Sequence, residues 1–125
     1  ENCTSLKEII IPSSVKYIKD SAFKYCKSLN KIIFDDQSSL EKIGCQSFQN
    51  CISLKEIIIP PNVTELGWEV FKGCLSLVNV TIPASIKNTG LHIFQNCKSL
   101  KQVISPPLKY LNFLDINPGA RIITL

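Results

Sequence analysis

Five cysteines recur in phase along the chain. Cys3, Cys26, Cys51, Cys74 and Cys97 lie 23, 25, 23 and 23 residues apart, and a fixed period of that size marks a stack of like structural units. One residue after each cysteine comes Ser-Leu, at Ser5-Leu6, Ser28-Leu29, Ser53-Leu54, Ser76-Leu77 and Ser99-Leu100. Three residues past each leucine stands Ile9, Ile32, Ile57, Val80 or Val103, and two further on Ile11, Phe34, Ile59, Ile82 or, off pattern, Ser105. Proline closes the segment at Pro12, Pro60, Pro83 and Pro106. The second unit has Asp35-Asp36-Gln37 there instead and is two residues longer, which accounts for the spacing of 25. A second apolar pair follows at Val15 and Ile18, Leu40 and Ile43, Val63 and Leu66, and Ile86 with the weaker match Thr89. Each full unit ends Phe-x-x-Cys, at Phe23, Phe48, Phe71 and Phe94.

Within Leu54-Lys-Glu-Ile-Ile-Ile59, residues 57 and 59 share one face of an extended strand and Ile58 faces the other way. The following proline offers no donor to a neighbouring ladder and ends the strand. Strands from successive coils should pair in parallel about 4.8 Å apart, five of them making one curved sheet. In the return segment, Ala22, Phe23 and Cys26 are spaced for one side of a short helix or 3₁₀ turn, with Asp20 as its cap in the first coil. Gly44, Gly67 and Gly90 recur where the first unit has Lys19, which suggests a positive φ or a tight approach between coils.

Segments such as Cys51-Ile-Ser-Leu-Lys-Glu-Ile-Ile-Ile-Pro60, followed by Val63, Leu66, Gly67 and Phe71, resemble the repeat of BspA-like leucine-rich proteins, with the 23-residue period of the Treponema type. The resemblance covers about residues 1–108. It implies an α/β leucine-rich repeat solenoid, with a curved parallel β-sheet on the concave face and short helical, 3₁₀ or irregular return segments. It further implies a non-enzymatic protein-binding module, an adhesion or recognition segment of a cell-surface protein whose partner is a host or matrix protein. The units run about 3–25, 26–50, 51–73 and 74–96, with a degenerate repeat at 97–111 and a cap at 112–125, all in one domain. Because no Phe precedes Cys3 by three residues, the array is expected to continue upstream. Terminal coils that lack neighbours offer a route to self-association. After the turn signal Asn117-Pro118-Gly119, Arg121-Ile-Ile-Thr-Leu125 reads as one more strand.

Composition narrows the function. The net charge of +4 comes from thirteen scattered lysines and a single arginine against ten acids, poor material for a nucleic-acid stripe. No apolar run is long enough to span a membrane, and the first residues lack a signal-peptide layout. His92 is the only histidine and has no nucleophile in a recognisable motif nearby. The isolated glycines form no phosphate loop. Asp35-Asp36 lacks the spaced oxygens of a calcium loop, and the cysteines lack metal-ligand spacing. Neither a catalytic residue nor a cofactor or metal site is therefore assigned. The five phased cysteines read as buried free thiols and Cys45, off the ladder, as the exposed one. Asn2-Cys3-Thr4, Asn62-Val63-Thr64 and Asn79-Val80-Thr81 fit the glycosylation pattern, as chance triplets in an Asn- and Thr-rich chain also do.

The residues left to carry function face outward from the strands. Ile10, Ile33, Ile58, Thr81 and Ile104 should form an apolar stripe beside a second column of Glu8, Lys31, Glu56, Asn79 and Gln102. An apolar stripe rimmed by charge suits a protein partner. Strand propensity alone also favours β-branched residues there. The alternative function is an intracellular leucine-rich repeat scaffold, its thiols kept reduced.

Overall fold

The structure is a computed structural model that describes residues 3–107 and 115–124. Asn2 of the first glycosylation triplet and residues 108–114, split in sequence between the degenerate repeat and the cap, lie outside the described residues.

Alternating apolar residues and closing prolines give strands no longer than four residues. In chain order these are β1 (Glu8–Ile11), β2 (Tyr17–Ile18), β3 (Lys31–Phe34), β4 (Lys42–Ile43), β5 (Glu56–Ile58), β6 (Glu65–Leu66), β7 (Asn79–Thr81), β8 (Asn88–Thr89), β9 (Gln102–Ser105) and β10 (Arg121–Thr124). All the pairings are parallel and join equivalent residues of successive coils, as Ile57 to Val80 to Val103. The fold is a parallel β-solenoid of about five turns. The expected single sheet is instead two, β1-β3 and β5-β7-β9-β10, because the longer second coil does not pair its strand with the third.

The return side also departs from expectation. Among the described residues it contains no helix; each of the first four coils has a second, two-residue strand, and β2, β4, β6 and β8 form a parallel ladder. Beyond that ladder, alternate backbone N–H groups reach the next coil, Phe23 N donating to Ser47 O (2.7 Å), Phe48 N to Val70 O (3.0 Å) and Phe71 N to Ile93 O (3.0 Å), while those between them close i to i−3 turns in their own coil, as Lys24 N to Ser21 O (3.2 Å). Donors committed between coils cannot make the i to i−4 bonds of a helix. Left-handed residues at Ser21, Gln46, Glu69 and His92, and again at Tyr25, Asn50, Gly73 and Asn96, turn the chain within each coil. With no helix to cap, the Asp20 carboxylate instead accepts from Cys45 N at 2.8 Å.

Of the two explanations for the recurrent glycines, close approach holds and positive φ does not. A Cβ on Gly67 would sit 2.5 Å from Cys45 N, and one on Gly90 2.5 Å from Trp68 N.

The core is a set of columns. Leu29, Leu54, Leu77 and Leu100 are buried, as are Ile57, Val80 and Val103 on the strands. Phe23, Phe48, Phe71 and Phe94 form a continuous ring stack, with centroids 5.3 to 5.7 Å apart and planes within 13°. Near-parallel rings at that separation are offset rather than face to face, the arrangement their quadrupoles favour.

Candidate functional site

Parallel register carries each outward column from coil to coil. Ile10 stands beside Ile33, and Ile58 beside Thr81, Ile104 and Ile123. In the second column Glu8 stands beside Lys31, and Glu56 beside Asn79, Gln102 and Arg121. The ten residues expected on this face therefore fall into two blocks, separated between β3 and β5. Among the apolar members Ile10 and Ile58 are the most open, 65% and 62% exposed. Ile33, Thr81, Ile104 and Gln102 are half-buried rather than fully outward, since side chains on strands this close cover one another's flanks. Arg121 and Ile123 extend both columns by a coil. The sequence held the signal in the alternation of β10, but residues 108–120 follow no repeat and hid its register.

Of the other exposed apolar residues, Ile52 and Leu75 share one repeat position in adjacent coils, between Lys27 and Lys98, while Tyr17 and Trp68 stand apart. Tyr17 is 60% exposed and Trp68 55%, yet Tyr17's column continues as Lys42, Glu65 and Asn88, and Trp68 shares its column with Asp20, Cys45 and Leu91. The return surface carries a polar chain instead. Lys24 Nζ donates to Gln46 Oε1 (3.0 Å), Gln46 Nε2 to Glu69 Oε1 (2.7 Å) and Lys72 Nζ pairs with Glu69 Oε2 (3.2 Å). The Gln46 and Lys72 donors hold the Glu69 carboxyl below its ordinary range.

The cysteine ladder is structural. Cys26, Cys51, Cys74 and Cys97 are buried free thiols, while Cys3, in the first coil, is only half-buried. The Sγ–H of Cys51, Cys74 and Cys97 donates to the carbonyl of Phe23, Phe48 and Phe71 respectively, at 3.1 to 3.2 Å. Burial pushes the Cys51 and Cys97 thiols up to about 12 and the Cys74 thiol well above its ordinary value. Such thiols are protonated and unreactive at neutral pH. Cys45 is half-buried rather than exposed, with its Sγ accepting from Trp68 N at 3.3 Å.

His92 Nδ1 pairs with the Asp115 carboxylate, tying the return segment to the C-terminal region. Asp35 and Asp36 form an exposed turn in which Gln37 N donates to Asp35 Oδ1 at 2.8 Å. Among the described residues no cluster of His, Cys, Asp or Glu is placed to hold a metal, and no helix is long and apolar enough to cross a membrane.

A family model for BspA-type leucine-rich repeat regions matches residues 1–101 in six copies. A leucine-rich repeat protein from Bacteroides ovatus is 31% identical with a TM-score of 0.88, over 99% of this chain and 31% of its own. The Treponema pallidum leucine-rich repeat protein is 37% identical with a TM-score of 0.78, over 82% of this chain and 47% of its own. The pneumococcal vaccine antigen PcpA is 29% identical with a TM-score of 0.62, over 79% of this chain and 30% of its own. The chain thus spans less than half the length of each of these structures. A comparison with curated proteins gave no match.

Proposed function

Because the chain belongs to the BspA-type leucine-rich repeat family, whose repeats are generally non-enzymatic protein-interaction scaffolds, we propose that its outward long-strand face binds a protein partner in adhesion or recognition at a cell surface. One observation carries this reading. The column Ile10, Ile33, Ile58, Thr81, Ile104, Ile123 is apolar in five of its six positions and open to solvent at Ile10 and Ile58. Water leaves such a stripe at little cost when a partner covers it, while the neighbouring column from Glu8 to Arg121 supplies polar contacts for specificity. Similarity to a pneumococcal vaccine antigen supports the surface setting. A ladder of reduced thiols favours the alternative, an intracellular scaffold, because disulfides are rare where thiols are kept reduced.

The test replaces Thr81→Lys and Ile104→Lys together and measures binding to a panel of matrix and cell-surface proteins. The intact chain should bind at least one member, and the double variant should lose it by about 2 kcal/mol or more while keeping the wild-type fold by circular dichroism. The control is Lys16→Glu with Lys87→Glu, both exposed on the return side, which should bind as wild type. Loss of binding in the control but not in the double variant would move the recognition surface to the return side.

A further inference from the structure

Seven of the thirteen lysines, dispersed in sequence, converge on one edge of the solenoid. From the second coil onward each return segment enters its long strand by the same turn, in which the leucine N–H donates to the cysteine carbonyl, as Leu29 N to Cys26 O (3.1 Å) and Leu54 N to Cys51 O (3.2 Å). Those cysteines and leucines are buried, so the residues between and beside them are left on the outside. Stacking of the coils then sets Lys7, Lys55 and Lys101 at one repeat position, Lys27 and Lys98 at a second, and Lys24 and Lys72 at a third. No aspartate or glutamate occurs in residues 3–7, 24–30, 49–55, 72–78 or 95–101, whereas the rest of the chain holds seven basic residues against ten acids. The structure thus sorts charge that the sequence mixes.

The middle of this edge is apolar. Where the second and fifth coils have Lys27 and Lys98, the third and fourth have Ile52 and Leu75, both exposed. Tyr25 is exposed at the same turn, with Lys24 Nζ 5.4 Å from its ring centroid. The edge is also continuous at the junction where β3 and β5 do not pair: Ser53 Oγ donates to Lys27 O at 2.6 Å and Cys51 Sγ to Phe23 O at 3.2 Å. Five coils spaced about 4.8 Å apart make it about 19 Å long. Of its seven lysines only Lys72 is in an ion pair among the described residues, with Glu69. The other six keep their charge unneutralised.

We infer that this edge docks on the surface of an anionic lipid bilayer, its lysines among the headgroups and Ile52 and Leu75 in the apolar boundary beneath them. Charge of a single sign calls for an anionic partner. Lysine without arginine favours a diffuse charged surface, because the centres of protein interfaces are enriched in arginine and depleted in lysine. The apolar pair then separates a bilayer from a soluble polyanion. A nucleic acid or sulfated glycan would satisfy the lysines but hold Ile52 and Leu75 against charged groups, whereas the boundary between headgroups and acyl chains accepts both kinds of side chain. Lysine stems reach past neighbouring apolar groups to the phosphates, and tyrosine, as at Tyr25, settles at headgroup level. Docked on this edge, the solenoid lies with its axis along the membrane and leaves the outward long-strand face open at its side. The inference therefore goes beyond the protein-binding reading and does not depend on it.

The test floats the intact chain with vesicles of phosphatidylcholine alone, and with vesicles that contain about one third phosphatidylserine, at low and at high salt. The chain should bind the phosphatidylserine vesicles at low salt, leave them at high salt and stay off the neutral ones. Lys27→Gln with Lys98→Gln should weaken the binding about thirtyfold. Ile52→Ser with Leu75→Ser should weaken it about fivefold. Lys16→Gln with Lys87→Gln removes the same charge from the turns at the other end of the long strands, where both lysines are exposed, and should stay within about twofold of wild type. All three pairs change exposed side chains, and each variant should keep the circular dichroism of wild type. Equal binding to the two kinds of vesicle, equal loss from the two lysine pairs, or no loss on replacing Ile52 and Leu75 would overturn the proposal. So would failure to bind vesicles at all; salt-sensitive binding to soluble polyglutamate or heparin in that case would give the edge to a soluble polyanion.

Discussion

At the scale of single residues, stability resides in side chains that touch their own counterparts one coil away. Phe71 is fully buried between Phe48 and Phe94, each 5.7 Å distant, and Leu54 is fully buried in the leucine column. Phe71→Ala or Leu54→Ala should each cost about 2 to 5 kcal/mol in chemical denaturation, since neither neighbouring coil can collapse into the hole without breaking its own bonds. The thiols make a separate prediction. Their folded pKa values lie above the ordinary value of 9.0, with Cys51 and Cys97 at about 12. As pH rises, the unfolded chain therefore loses thiol protons first, and the stability these thiols contribute, complete below pH 9, should fall between about pH 9 and 12. Cys51→Ala should flatten that decline relative to wild type, and an unchanged slope would mean that Cys51 is not shielded. In native protein near neutral pH, alkylation should reach Cys45 and Cys3 before Cys51, Cys74 or Cys97, and denaturant should make all six react.

At the scale of strands and turns, coil spacing is set by close backbone contact. A methyl on Gly67 would press on backbone atoms of Cys45, at 2.5 Å from N and 2.8 Å from Cα. Backbone cannot rotate away, so Gly67→Ala should destabilise by about 1 to 3 kcal/mol, read from the denaturation midpoint. What could be read beforehand follows this division. The inward columns were legible because each residue type recurs in phase, so Leu54 and Phe71 announce their burial through Leu29, Leu77, Phe48 and Phe94. The return conformation was not. Ala22, Phe23 and Cys26 are spaced for one face of a helix but serve equally in turns whose donors cross to the next coil, and periodicity alone cannot separate the two. A clue was present in Asn50-Cys51, Gly73-Cys74 and Asn96-Cys97, since asparagine and glycine favour the left-handed turn found there. The parted sheet was illegible because the two added residues lie after β3 while their effect falls on its pairing with β5.

At the scale of the whole molecule, the solenoid sorts its surface by face. The return side binds several of its polar groups to one another, as along Lys24, Gln46, Glu69 and Lys72. The long-strand side carries its isoleucines in two aligned blocks, one on β1 and β3 and one on β5, β9 and β10, with Ile10 and Ile58 largely exposed. Side-chain radical footprinting of the chain with and without a bound protein partner separates the two faces in one measurement, because each has large exposed reporters: Ile10 and Ile58 on the long strands, Tyr17 and Trp68 on the return side. Labelling of Ile10 and Ile58 should fall on binding while Tyr17 and Trp68 label as before. Protection of Tyr17 and Trp68 with Ile10 and Ile58 unchanged would contradict the assignment of the binding face.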